Sequence, residues 1–157
     1  MAKNKWFNRK NETLYEQIET LASMLDEQGA EYPQAVIERG WEILMLNQFH
    51  DILPGTCIGE VYKQTDREYE EIYQNGREAL YRLAGTGAAK LRTKENAIVV
   101  YQTKGYDRSD VIIVEGLEHT AIKKIVEEDS RELPMQRLSD GRIAFYAEGI
   151  PAMGYKV

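Results

Sequence analysis

The residues best suited to chemistry lie in the stretch QFHDILPGT, residues 48–56. It places His50, one of only two histidines in the chain, directly before Asp51. A neutral imidazole nitrogen can coordinate a metal ion, and an adjacent carboxylate can accept hydrogen bonds from a hydroxylated ligand. Pro54 disfavours helical geometry in the residue before it and Gly55 relaxes the backbone, so a helix must stop close to His50. The pair is therefore a candidate metal and ligand site at a helix end.

A structural interpretation of the same pair stays open at this point. A histidine near a helix C-terminus interacts favourably with the helix dipole, and Asp51 could cap the next element. Zinc takes about three or four protein ligands. The local candidates are His50, Asp51 and Cys57, whose spacing matches no common zinc motif. These residues therefore cannot complete a metal shell by themselves.

The elements that must position this pair are helices with apolar residues every three or four positions. The first helix is expected to end at Gly29, the second to begin after Pro33 and end near His50, and the third to be the longest. Three helices joined by short loops predict an antiparallel bundle over residues 1–92. The three apolar stripes contain Leu14, Ile18, Leu21 and Leu25, then Ile37, Trp41, Leu44 and Gln48, then Ile58, Tyr62, Thr65, Tyr69, Ile72, Gly76, Ala79 and Leu83.

From residue 97 onward the period falls towards two and β-branched residues gather in short runs. The turn signal at Ser139, Asp140 and Gly141 is flanked by alternating residues, as in a hairpin. Residues 93–157 are therefore predicted to form a small antiparallel β-sheet or sandwich unit, and the fold class is α+β. The expected strands are 97–101, 110–114, 122–126, 135–138, 142–147 and 154–157.

The composition of the chain limits which partners it can bind and indicates its compartment. A net charge of −6 disfavours binding to phosphate backbones, so we expect no nucleic acid partner. The longest apolar runs, 41–46 and 111–114, are far shorter than the roughly 20 residues that cross a bilayer, so we expect no membrane partner. The amino-terminal residues lack the apolar stretch of a secretory signal. A single cysteine, Cys57, fits a reducing compartment. These features predict a cytoplasmic protein.

The stretch LMLNQFHDILPGTCIGEVY, residues 44–62, resembles the signature of the retaining α-mannosidases of glycoside hydrolase family thirty-eight, in their bacterial and cytosolic branch. NRKNE at 8–12 is similar to the start of that family's central three-helix domain. VVY at 99–101 with DRSDV at 107–111 is similar to the opening of its carboxy-terminal β region, and IPAMGYK at 150–156 resembles a strand closing the first β subdomain. Phe49 departs from other branches, which have His there.

The resemblance implies that His50 is a metal ligand contributed by the central domain and that Asp51 contacts sugar hydroxyls. In the family, the zinc ion is completed by one His and two Asp residues of an amino-terminal α/β barrel-like domain, which also supplies the nucleophile of a retaining hydrolysis. We expect that domain on the same or a separate chain, and mannose-containing glycans as ligands of the full enzyme. The chain alone should lack the nucleophile and the general acid.

An alternative hypothesis is a stand-alone or split-enzyme module for interaction or assembly, derived from such an α-mannosidase. In both cases the surface that a barrel domain would cover should be apolar and exposed, or else buried in a homo-oligomer. We expect that surface to include Trp41, Phe49 and Ile52.

The remaining candidate residues have ordinary structural interpretations. Cys57 is expected to be a small residue at a helix start, and His119 an exposed loop residue. The tyrosines of the third helix are expected to form core and interface rather than a sugar platform. The acidic residues Glu68, Glu70 and Glu71 are expected to form the solvated face of that helix.

Overall fold

A computed structural model describes residues 2–93 and 96–157 of the chain. Met1, in the predicted helical unit, and Lys94 and Glu95, in the predicted β unit, lie outside the described residues. The chain divides into two units, Met1–Arg92 and Thr93–Val157. Helices make up the first unit and short antiparallel strands the second, which confirms the α+β class.

The helical unit contains α1 (Ala2–Leu25), α2 (Gln34–Asn47) and α3 (Gly59–Lys90), with a short 3₁₀ turn at Asp26–Gln28. Gly29 has φ 72°, a left-handed conformation that glycine adopts readily, and it ends the first segment as predicted. In the described part of the chain, no helix is both long enough and apolar enough to span a membrane.

The predicted apolar stripes form most of the bundle core. On α1 the whole stripe from Leu14 to Leu25 is buried, and on α3 the stripe is buried from Thr65 to Leu83. Ile58 is an exception because it precedes the first turn of α3, where it is 67% exposed. Tyr15 adds a polar contact to this core, since its hydroxyl donates to the Ile72 carbonyl at 2.9 Å.

The β unit consists of three small antiparallel sheets in the described residues, β1 with β7, β2 with β6 and β5, and β3 with β4. Every predicted strand overlaps an observed one, and β4, only two residues long, was not predicted. The hairpin between β5 and β6 is confirmed, with the Leu138 amide donating to the Arg142 carbonyl at 2.8 Å. The strands are β1 Val100–Gln102, β2 Arg108–Val114, β3 Ile125–Val126, β4 Glu132–Leu133, β5 Met135–Arg137, β6 Ile143–Ile150 and β7 Gly154–Lys156.

A close approach of α2 to α1 requires glycine at position 40. A Cβ atom at Gly40 would lie 1.9 Å from Cε1 of the buried Tyr15. We expect Gly40→Ala to lower the free energy of unfolding by about 1 to 3 kcal/mol, because this overpacking exceeds the gain of up to about 1 kcal/mol in helix propensity. Gly85→Ala is the matched control, since nothing lies within 4 Å of its Cβ position. Urea unfolding followed by circular dichroism should show that variant unchanged or stabilised, and equal stability of the two variants would contradict the packing argument.

The buried tyrosines predict a loss of stability at high pH. Burial raises the pKa of Tyr69 to about 12, and the carboxylates of Glu12 and Glu68 contribute to the rise. Burial, with a contribution from Glu71, also raises the pKa of Tyr15 to about 12. An unfolded tyrosine loses its proton near pH 10, whereas the folded one keeps it to about pH 12. The free energy of unfolding is therefore unaffected below about pH 10 and declines between about pH 10 and 12, by roughly 2 kcal/mol for each tyrosine.

Urea unfolding between about pH 9 and 11 measures this decline, which starts above the unfolded pKa of tyrosine. The Tyr69→Phe variant removes one of the tyrosines whose pKa is raised on folding, so its stability should fall less steeply with pH than that of the unsubstituted chain. The same slope in both proteins would show that Tyr69 does not titrate differently on folding.

Candidate functional site

The candidate site lies in the segment between α2 and α3, residues 48–58, which we call the α2–α3 turn. Helix α2 ends at Asn47, so His50 and Asp51 lie in the turn itself rather than in the last helical residues. Gly55 has φ 103°, in the left-handed region that other residues rarely adopt. The Pro-Gly pair therefore reverses the chain between the two helices.

One carbonyl oxygen closes the α2–α3 turn. The Asp51 carbonyl accepts hydrogen bonds from the Thr56 amide at 3.1 Å and the Cys57 amide at 3.2 Å. It also accepts from the Thr56 hydroxyl at 3.1 Å and the Tyr62 hydroxyl at 3.3 Å. Because these donors engage the backbone of Asp51, its position is fixed while most of its carboxylate stays available.

Helix α1 holds the start and the middle of the turn. The Asn4 side-chain amide donates to the Ile52 carbonyl at 3.0 Å. The Gln48 side-chain amide donates to Asn8 Oδ1 at 3.2 Å and to Glu12 Oε1 at 2.8 Å. The α2–α3 turn is therefore braced against a helix that lies far from it in sequence.

A buried amide connects the end of α2 to α3. Asn47 is 2% exposed, and its amide donates to Glu68 Oε2 at 2.8 Å while its Oδ1 accepts from the Thr65 hydroxyl at 2.7 Å. The predicted solvated acidic face is therefore correct for the exposed Glu70 and Glu71. It is wrong for Glu68, which is half-buried because it serves as the acceptor for this amide.

The structure brings the side chains of His50 and Asp51 together on the surface. His50 Nε2 lies 3.6 Å from Asp51 Oδ2, and the two side chains are 77% and 53% exposed. The imidazole also packs against the Phe49 ring, with 4.2 Å between ring centroids. A braced backbone thus presents an imidazole and a carboxylate outwards, where a ligand or another protein segment can reach both.

The remaining candidate ligands do not join this pair. Within residues 2–93 and 96–157, no group of three or more His, Cys, Asp or Glu side chains is placed to hold a metal ion. Cys57 is half-buried just before α3, and its backbone amide donates to the Tyr62 hydroxyl at 3.0 Å. His119 is exposed in a turn of the β unit. On the described residues, His50 and Asp51 could contribute to a metal shell only in part.

Exposed apolar side chains surround the turn. Met45, Leu46, Phe49 and Ile58 are all more than half exposed. The expectation of an exposed apolar surface is thus met at Phe49. Trp41 and Ile52, which were expected on the same surface, are half-buried; the Trp41 indole donates to Glu19 Oε1 at 2.8 Å.

Sequence reasoning missed the residues that brace the site. Asn4, Asn8 and Asn47 are buried amides, Thr65 donates to Asn47, and the Tyr62 hydroxyl contacts the backbone of the turn itself. The available signal was the spacing of Asn4, Asn8 and Asn11, which places three amides on one side of α1. Buried polar groups at helical spacing indicate hydrogen-bonded partners on neighbouring elements.

Comparison with known proteins gives consistent matches. The family model described as the α-mannosidase middle domain matches residues 1–85. The chain is 31% identical to α-mannosidase 2C1 of Mus musculus over 110 residues, which cover 67% of this chain and 10% of the mouse protein. It is 40% identical to the α-mannosidase of Saccharomyces cerevisiae over 65 residues, covering 40% of this chain and 6% of the yeast protein.

The fold also matches a solved structure. The crystal structure of an α-mannosidase from Enterococcus faecalis V583 aligns with a TM-score of 0.67 and 16% identity, covering 96% of this chain and 23% of that one. The chain therefore corresponds to about a tenth of the length of the mouse protein and about a quarter of the crystallised chain.

The hydrogen bonds accepted by the Asp51 carbonyl predict the effect of removing the Tyr62 hydroxyl. We expect Tyr62→Phe to speed amide hydrogen exchange at Thr56 and Cys57 about fivefold, and to lower the free energy of unfolding by about 1 kcal/mol, the typical net value of one hydrogen bond. Hydrogen exchange followed by mass spectrometry or NMR measures the first effect. Tyr146→Phe, on the exposed face of β6, is the control, and similar exchange rates in both variants would show that the hydroxyl does not hold the turn.

Proposed function

This chain belongs to the α-mannosidase middle-domain family, and from that premise we propose that it forms part of a retaining, metal-dependent enzyme that hydrolyses α-mannosidic bonds. The family match covers residues 1–85, which include the whole α2–α3 turn. The observation that carries the proposal is the outward-facing pair of His50 and Asp51 on a braced turn. This arrangement suits a domain that adds residues to an active site assembled with a second domain.

His50 is proposed to supply one ligand to a zinc ion. Its imidazole is mostly exposed and has the Asp51 carboxylate as a polar neighbour at 3.6 Å. This geometry fits a single protein ligand, and the other ligands would come from a barrel-like catalytic domain, as the family resemblance implies. When bound there, the ion would hold mannose hydroxyls and favour a distorted sugar ring.

Asp51 is proposed to bind the substrate rather than to carry out bond cleavage. An ionised carboxylate only accepts hydrogen bonds, so it matches the hydroxyl donors of a sugar. Its backbone is held by the donors on its carbonyl, and its Oδ1 lies 3.2 Å from the Thr56 hydroxyl. A preorganised carboxylate orients the sugar with little loss of conformational entropy on binding. The nucleophile and the general acid are assigned to the catalytic domain.

Complementation between separated domains tests this proposal. The catalytic barrel domain of the Enterococcus faecalis α-mannosidase, prepared without its middle segment, would be mixed with the chain, zinc and an aryl α-mannoside. We expect hydrolysis only when both proteins are present. His50→Ala should lower the rate about 100-fold or more, since even indirect partners of a metal contribute factors of 10 to 100.

Two controls make the experiment decisive. The middle segment of the Enterococcus faecalis enzyme, added in place of the chain, shows whether separated domains can complement at all. His119→Ala removes the other histidine, which is exposed in the β unit, and should leave the rate unchanged. Activity with the control segment but not with the chain, or equal rates for the two histidine variants, would overturn the proposed role.

A further inference from the structure

The phenyl ring of Phe49 lies directly beside the imidazole of His50. Their ring centroids are 4.2 Å apart, and the ring planes make an angle of 53°. The rings of Trp6 and Phe7, another pair of sequence neighbours, have centroids 4.9 Å apart. Aromatic pairs in proteins usually have centroids about 4.5 to 7 Å apart. The rings of Phe49 and His50 are therefore in close contact.

Hydrogen bonds of the main chain hold Phe49 from both sides. Its amide donates to the Leu46 carbonyl at 3.2 Å, near the end of α2. Its carbonyl accepts from the Ile52 amide at 2.9 Å and from the Leu53 amide at 3.1 Å. The phenyl ring, although 51% exposed, thus projects from a main chain whose position is fixed.

Within residues 2–93 and 96–157, no hydrogen bond orients the imidazole of His50. Its Nε2 lies 3.6 Å from Asp51 Oδ2, beyond the roughly 2.7 to 3.2 Å of an N–H···O hydrogen bond. A histidine that binds a metal usually donates its second ring nitrogen to a carboxylate or a carbonyl, and that bond fixes the ring. In this part of the chain the contact that can restrain the imidazole is the phenyl ring of Phe49.

Such a restraint favours metal binding through conformational entropy. An exposed histidine samples several staggered rotamers, and coordination of a metal selects one of them at an entropic cost. A neighbouring ring that already favours one orientation reduces this cost. The His50 side chain is still 77% exposed despite the contact, so the phenyl ring restrains the imidazole without covering it.

We propose that Phe49 is a positioning residue that holds the His50 imidazole in an orientation suited to metal coordination. A phenyl ring can restrain the imidazole without competing for the metal, because zinc binds sulfur, nitrogen and oxygen atoms. Phe49 acts through His50 and contacts neither the metal nor the sugar. The inference rests on the proposed role of His50 as a metal ligand.

NMR spectroscopy of the chain alone tests the ring contact. Phe49→Leu keeps an apolar side chain but removes the ring, and Phe49→Tyr restores the ring. The imidazole proton resonances of His50, assigned by their absence in His50→Ala, should move in Phe49→Leu and return in Phe49→Tyr, because an aromatic ring shifts the resonances of nearby protons. Met45→Ala is the matched control, since it removes another exposed side chain in the last turn of α2 and should leave these resonances in place.

A chelated metal tests the consequence for coordination. Copper(II) iminodiacetate is the probe, because its chelator leaves positions that a single imidazole can fill. In a His119→Ala background, His50 is the only histidine. Isothermal titration should show about threefold weaker binding of the probe to Phe49→Leu, because the imidazole then loses more conformational entropy. Phe49→Tyr and Met45→Ala should bind the probe as tightly as the background chain does.

Circular dichroism of each variant confirms that the bundle stays folded. Unmoved His50 resonances in Phe49→Leu, equal affinity of Phe49→Leu and Met45→Ala for the probe, or failure of Phe49→Tyr to restore both properties would overturn the positioning role. None of these measurements depends on hydrolysis of a mannoside. Failure of the proposed function would appear separately, as equal rates of His50→Ala and His119→Ala in the complementation experiment.

Discussion

The carbonyl oxygen of Asp51 is the point on which the geometry of the candidate site depends. Two amides and two hydroxyls donate to it, all from residues that follow it in the chain. Each such bond contributes only about 1 kcal/mol net, but together they fix the path of a turn that contains both a proline and a glycine. Because the carbonyl carries this role, the imidazole of His50 and the carboxylate of Asp51 remain directed outwards for binding.

Buried amide side chains fix the positions of the helices in the same way that the Asp51 carbonyl fixes the turn. Apolar stripes explain why three helices associate, but apolar contacts alone allow small shifts of one helix along another. Asn47 bonds to Glu68 and Thr65, and Asn8 Oδ1 accepts from both Gln48 and Tyr69. Each of these contacts requires one alignment of the helices, and unmade bonds to buried groups are costly. The relative alignment of the three helices therefore determines where the turn lies.

The helices could be predicted because their apolar residues repeat over many turns, as from Leu14 to Leu25 on α1. The strand ends were less predictable, since a two-residue strand such as Glu132–Leu133 is too short to show an alternating pattern and is defined by its pairing with Ile125–Val126. The closing of the turn was likewise not predictable locally: Asn4 lies 48 residues from Ile52, and Tyr62 lies 11 residues from Asp51. The repeat of apolar residues along the sequence predicts helices and strands, but the geometry of a site depends on contacts between those elements.

The family resemblance identified His50 and Asp51, and the structure shows how they are held; their roles toward metal and sugar remain proposals. The most direct test is isothermal titration of zinc into the chain alone, into the chain mixed with an α-mannosidase catalytic barrel domain, and into the same mixture with His50→Ala. The account predicts weak binding to the chain alone, because zinc requires about three or four protein ligands, tight binding to the mixture, and a marked loss of affinity in the variant. Tight binding to the chain alone, or unchanged affinity of the mixture with His50→Ala, would contradict it.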